Sequence, residues 1–203
     1  SDKPVSEWYG VFCTDYDGTV WNISLRHNNL RGNIPECIGD FASLAVLRLN
    51  GNQLSGPIPE SIGKLSQLSE LYLMGNQLSG SIPESIGNLL SLYYLALSNN
   101  QLSGPIPESI GNLEHLGYLE ITNNKMSGSL PNQMFAKLPN LKRLLLSNNS
   151  FSGKLPDVHA NIISCQLDNN LFTGEIPESH SKVFQKNPKF DYQIYGNYLT
   201  GEV

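Results

Sequence analysis

One periodicity constrains this chain more than any other feature. Aligned on Leu44, residues 44–67 read LAVLRLNGNQLSGPIPESIGKLSQ, residues 68–91 read LSELYLMGNQLSGSIPESIGNLLS, and residues 92–115 read LYYLALSNNQLSGPIPESIGNLEH. Three consecutive near-copies of 24 residues put equivalent side chains in columns along a solenoid, because one copy alone cannot bury its apolar face. The frame extends back to 20–43, a weaker first winding, and forward to 116–140, 141–161 and 162–188. These last three are one residue longer, three shorter and three longer than the period, and 189–203 begins an eighth winding. The expected organisation is a cap at 1–19, seven repeats at 20–188 and a partial eighth repeat at 189–203 without a closing cap. Length changes fall after the Pro column, which marks the outward, tolerant part of each winding.

Each column has a physical task. Positions one, four and six are apolar (Leu68, Leu71 and Leu73 in the third winding) between polar or aromatic residues, as in a strand with one buried face. Position nine is Asn in every winding: Asn28, Asn52, Asn76, Asn100, Asn124, Asn149, Asn170 and Asn197. A polar side chain beside core Leu is costly unless satisfied, and an amide both donates and accepts. This column is expected to be an internal hydrogen-bond ladder rather than a row of exposed turn residues. Position thirteen is Gly throughout, which suits φ > 0 or close approach between windings. Position sixteen is Pro in the complete windings, and Pro with a following Glu predicts a first helical position and one short helical turn.

Composition narrows the function. A formal net charge of -5 argues against nucleic acid, which needs a basic face. No run of about 18 apolar residues exists to span a membrane. No signal peptide is visible from Ser1 onward, so a leader or an upstream segment is expected to have been removed. The histidines His27, His115, His159 and His180 lack metal-ligand spacing, and no nucleophile motif or phosphate loop occurs, so neither cofactor, metal nor catalysis is expected.

The motif LxxLxLxxNxLSGxIPxxIGxLxx, carried over residues 20–203, resembles the plant-type extracellular leucine-rich repeat of receptor-kinase ectodomains and polygalacturonase-inhibiting proteins. The resemblance implies a right-handed solenoid of about eight windings. It has a concave parallel β-sheet, short flank strands and short 3-10 or helical turns on the convex side. Residues 7–20, EWYGVFCTDYDGTV, resemble the N-terminal cap of such proteins, in wording closer to caps from bacteria and protists. Those usually carry more sequence upstream, which points to a piece of a larger chain or complex. Secretion or display at the cell surface is implied.

Three Cys cannot all pair internally. Cys165 takes a core position in place of Leu. Cys13 lies 24 residues before Cys37, so a cap that keeps the repeat frame would place the two within disulfide range. The alternative is a free Cys13 whose partner lay upstream. The sequons Asn22-Ile-Ser24 and Asn148-Asn149-Ser150 are both expected to be accessible to N-glycosylation.

The concave face is the expected contact surface. Positions three, five and seven gather Tyr72, Tyr94, Tyr118 and Met74, with Tyr93 beside them and Arg48, Glu70, Glu120 and Arg143 around them. Tyr and Arg are enriched at binding centres, although Tyr also simply tolerates strand surfaces. The expected partner is a protein or peptide, and Tyr94→Ala is expected to weaken its binding with little effect on melting. Structural assembly is the competing reading. A third, ice or glycan binding, would use the hydroxyl column Ser55, Ser79, Ser103, Ser127, Ser152, Thr173 and Thr200, unless these hydroxyls bond the backbone.

Overall fold

The alternation at the start of each repeat makes one short strand, and the Leu-Ser-Gly step makes a second. A computed structural model, which describes residues 11–13, 18–130 and 134–201, stacks each series into its own sheet. Among the described residues the first sheet has nine strands: β1 (Val11–Cys13), β2 (Val20–Ser24), β4 (Val46–Arg48), β6 (Glu70–Tyr72), β8 (Tyr94–Ala96), β10 (Tyr118–Glu120), β12 (Arg143–Leu145), β14 (Ser164–Gln166) and β16 (Asp191–Gln193). Among the described residues the flank sheet has eight: β3 (Arg31–Gly32), β5 (Gln53–Gly56), β7 (Gln77–Gly80), β9 (Gln101–Gly104), β11 (Lys125–Ser129), β13 (Ser150–Lys154), β15 (Leu171–Gly174) and β17 (Tyr198–Leu199). Parallel register joins equivalent positions in the first sheet, Glu70 to Tyr94 and Tyr94 to Tyr118. The exception is β1, which runs antiparallel to β2 with Phe12 opposite Asn22. The core stacks the position-one, -four and -six residues, such as the fully buried Leu68, Leu71, Leu73, Leu92, Leu95 and Leu97, with apolar columns of the flank strands and turns, such as the fully buried Leu78, Ile86 and Leu89. Cys165 joins them, and burial pushes its thiol well above the usual range.

The position-nine asparagines tie successive windings together. In each of the seven from Asn52 to Asn197, Nδ2 donates to the position-six carbonyl of its own winding and to that of the winding before. Oδ1 accepts the position-eleven N–H of the winding before, at 3.0 Å from Leu30 through Phe172. Asn28 departs from the expectation: its side chain is exposed and outside the ladder. What precedes it in the first sheet is antiparallel β1 rather than a parallel winding, and its bend carries two left-handed residues, His27 (φ 54) and Asn29 (φ 56).

Two glycine columns answer different demands. At position thirteen, φ lies between +75 for Gly56 and +112 for Gly201, a conformation that a Cβ disfavours. In the turns Glu36-Cys-Ile-Gly39 and Glu-Ser-Ile-Gly that follow the Pro column the issue is space. A Cβ on Gly39, Gly63 or Gly87 would stand 2.5 Å from the carbonyl oxygen of Ser61, Ser85 or Ser109 on the next winding. Ser85 and Ser109 Oγ in turn donate to the carbonyls of Glu60 and Glu84 at 2.8 and 2.7 Å. The turns themselves are 3-10 helices at Glu36–Asp40, Glu60–Lys64, Glu84–Asn88 and Glu108–Asn112. Their Pro residues are extended (ψ 140 to 149) and stand one place earlier than expected, as N-caps whose carbonyls accept the N–H of the Ile three residues on. Pro131 lies outside the described residues.

Irregularity concentrates toward the C-terminal end. No helix follows Pro156, where three residues are lost. The three gained after Pro177 turn the 3-10 helix into α1 (Glu178–Lys186). On α1, His180 is fully buried, with Nε2 donating to the Pro156 carbonyl at 2.8 Å and Nδ1 meeting the Tyr192 hydroxyl at 2.6 Å. Burial holds its pKa below 6.5, against the opposing pull of the Pro156 hydrogen bond and the Asp157 charge.

Two outcomes follow from these contacts. Asn100→Ala strands the Leu78 N–H and two carbonyls, and should cost about 3 kcal/mol in chemical denaturation. Asn28→Ala should cost less than about 0.5 kcal/mol. In the unfolded chain His180 takes a proton as pH falls through about 6.5, whereas the folded chain resists it. Stability is therefore full above that pH and declines below it, and His180→Gln should flatten the profile.

Candidate functional site

Positions three and five point away from the core, and parallel register places them diagonally across neighbouring strands. Arg48 on β4 donates to Glu70 on β6 at 2.6 Å, and its guanidinium lies over the Tyr72 ring at 5.3 Å. Tyr72 stacks on Tyr94 with centroids 4.8 Å apart, and Tyr94 stacks on Tyr118 at the same distance. Arg143 closes the far end, 5.7 Å from the Tyr118 centroid. Tyr93 meets Tyr118 edge-on at 5.3 Å. The result is one column across five strands, cation–ring–ring–ring–cation, with its ring faces used internally. Edges, hydroxyls and the exposed Tyr93 are what a partner would meet.

Hydrogen bonds hold the column still. Tyr94 Oη donates to Glu120 at 2.6 Å. Burial first, then that bond, push the Tyr94 phenol far above its usual value. Burial and the Glu70 charge raise Tyr72, against the lowering effect of Arg48. All the proposed contact residues except Met74 belong to this assembly; Met74 is half-buried and takes no part in the stack.

Two small residues that sequence reasoning passed over shape the patch. Gly117 is buried, and a Cβ there would lie 2.5 Å from Tyr93 Cε2, so the Tyr93 ring lies across a bare backbone. Ala96, in register with Tyr72 and Glu120, is fully buried. Their columns carry larger residues in neighbouring windings, which is the only sequence signal for them. Farther along, the chain builds a polar patch. Burial would raise the Asp191 carboxyl, but bonds from Ser164 (2.9 Å), Gln166 (2.7 Å) and Gln193 (3.3 Å) outweigh it and hold the group low.

The geometry overturns the expected Cys13–Cys37 bond and the expected accessibility of Asn22. Cys37 is exposed and unpaired. It sits in the 3-10 turn Glu36–Asp40, whereas the backbone of Cys13 pairs with Val20 in the first sheet, so the cap does not keep the repeat frame. The side chain of Cys13 lies outside the described residues. Asn22 is buried at 9% exposure between β1 and β4, against the expected accessibility, while Asn148 is exposed. Among the described residues no helix is long and apolar enough to cross a membrane, and no three His, Cys, Asp or Glu gather as metal ligands.

A family model described as leucine rich repeat matches residues 20–78, 66–126 and 90–151. No curated protein matches the chain. Among solved structures, the chain is similar to the plant peptide hormone receptor RGFR1, in complex with RGF2, at 37% identity and TM-score 0.80 over 86% of this chain. It is similar to the Arabidopsis receptor kinase HAESA, solved with the peptide hormone IDA and the co-receptor SERK1, at 32% identity and TM-score 0.83 over 89% of this chain. A plant ice-binding protein matches 98% of this chain at 30% identity and TM-score 0.85. The chain spans 28% and 30% of the two receptor chains and 64% of the ice-binding protein.

The stack makes two substitutions informative. Gly117→Ala must displace the Tyr93 ring, a movable side chain, so near-UV dichroism should change while far-UV dichroism stays; Gly111→Ala, with its nearest neighbour at 3.9 Å, should change neither. Tyr94→Ala removes two ring stacks and should cost about 1–3 kcal/mol, which corrects the small effect on melting expected from its surface position.

Proposed function

The chain belongs to the leucine-rich-repeat family, and on that premise we propose that it is a non-catalytic binding module that takes a protein or peptide on its concave sheet. The contact lies over the tyrosine column between Arg48 and Arg143. The preorganisation of that column carries the reading. Stacked rings, an ion pair and the Tyr94–Glu120 bond immobilise aromatic and Arg side chains before any partner arrives. Little side-chain entropy is then lost on association, which is what separates a binding centre from mere surface. The similar receptors are solved with peptide hormones, which supports a peptide-sized partner and a place outside the cell.

Selection of a random peptide library against the folded chain tests this. Tyr93→Ala and Arg143→Ala should each weaken the selected peptides tenfold or more. Leu90→Ala, 60% exposed outside both sheets, should leave them unchanged. Peptides indifferent to Tyr93 and Arg143 would remove the concave face from consideration.

A second reading, ice binding on the flank sheet, is favoured by one observation. Among the described residues only Thr173 in the position-twelve column turns its hydroxyl to the backbone, donating a 3.4 Å bond to the Gly153 carbonyl. Ser55, Ser79, Ser103, Ser127 and Ser152 are half-exposed and keep theirs for solvent. Growth of ice crystals at micromolar protein, unaltered relative to buffer, would dismiss it.

A further inference from the structure

We infer that Asn148 is a site of N-linked glycosylation, and that Asn22, the other sequon, is not. The inference rests on the extracellular placement proposed above but not on the nature of the partner.

The two acceptors look alike in sequence and differ in the fold. Asn22 lies on β2 between β1 and β4, opposite Phe12 and beside Val46, with 9% of its surface exposed. Glycan transfer precedes folding, and a chain carrying a sugar there could not bury the Asn22 side chain as the fold does, with its Oδ1 closed off from solvent. Asn148 occupies position eight of its winding, at the bend between the two sheets. That bend is left-handed in every winding, from His27 (φ 54) through Gly51, Gly75, Asn99, Asn123, Asn148 and Asn169 to Gly196 (φ 65). It therefore turns each position-eight side chain toward the rim, and Asn99, Asn123, Asn148 and Asn169 are all exposed.

Within this row Asn148 differs from its neighbours. Asn123 Nδ2 donates to Asn99 Oδ1 at 2.9 Å, and Asn169 Nδ2 donates to Asp168 at 2.8 Å. The Asn148 amide has no such bond among the described residues, and the Ser150 that completes its sequon is exposed. Transfer forms a bond from Asn148 Nδ2 to C1 of an oligosaccharide and releases one Nδ2 proton. The C1–O bond to a lipid diphosphate donor breaks, and the diphosphate leaves with the electron pair. The remaining N–H and Oδ1 stay solvated, so nothing in the fold is sacrificed.

A glycan here stands on the winding that carries Arg143, on the rim between the sheets. It would leave the opposite rim, where Tyr93 lies, as the open approach to the concave face.

The test is secretion of the full chain from a eukaryotic host, with export supplied by the host's own leader and a known glycoprotein in the same culture as control. Peptide mass mapping before and after N-glycosidase treatment should find sugar at Asn148 and none at Asn22 in folded protein. Ser150→Ala should abolish it, and so should Asn148→Gly, which borrows the residue that windings two, three and eight already use at this bend. An unmodified Asn148 beside a modified control would overturn the inference, as would folded protein bearing sugar at Asn22. Peptide selection on the non-glycosylated chain is unaffected by either result, so the binding reading stands or falls separately.

Discussion

The position-nine amide is the contact on which the solenoid depends. A strand that turns sharply beside a leucine core leaves backbone groups facing inward, where water cannot reach them. One Asn per winding satisfies three of these groups, two carbonyls and one N–H, and two of the three belong to the winding before. Leucine burial supplies the driving force but is non-directional, so it would allow windings to slide. The amide sets their register. Register in turn places position three over position three down the first sheet, and every surface column follows from that.

The tyrosine column is a product of this register. Rings on adjacent parallel strands sit one strand spacing apart, about 4.8 Å, and the observed centroid separation of 4.8 Å is close to the distance at which offset rings attract. A solenoid therefore offers ready-made stacking to any aromatic column. Here Arg48 and Arg143 terminate the stack at both ends, and Gly117 lowers the floor for Tyr93. The proposed contact face is also partly self-supporting, so a partner's affinity for it would depend on local stability.

Regularity and variation divide along the chain. The four turns with Pro-Glu caps are near-identical, because tight Gly–Ser packing between them admits little else. Beyond them the chain replaces a 3-10 helix with α1 and builds the His180–Tyr192 contact and an aromatic group of Phe184, Phe190 and Tyr192. Length changes are absorbed on the convex side while both sheets run on unbroken, since strands share their bonds with neighbours and turns share few.

Much of this was legible in the amino-acid order alone. A 24-residue period whose length changes fall after the Pro column determines the columns, and with them the leucine core, the amide ladder from Asn52 onward and the identity of the residues on the concave face. The Gly column at position thirteen announces its positive φ because no other residue adopts it so readily. What periodicity cannot decide is anything that breaks it or anything lateral. The antiparallel β1, the exposure of Asn28, the unpaired Cys37 and the burial of Asn22 all arise where the repeat frame stops and pairing partners change. The stacking of Tyr72, Tyr94 and Tyr118, and the room that Gly117 leaves for Tyr93, depend on side-chain directions between windings. Those directions are set by packing in three dimensions, which the order of residues along one winding does not contain.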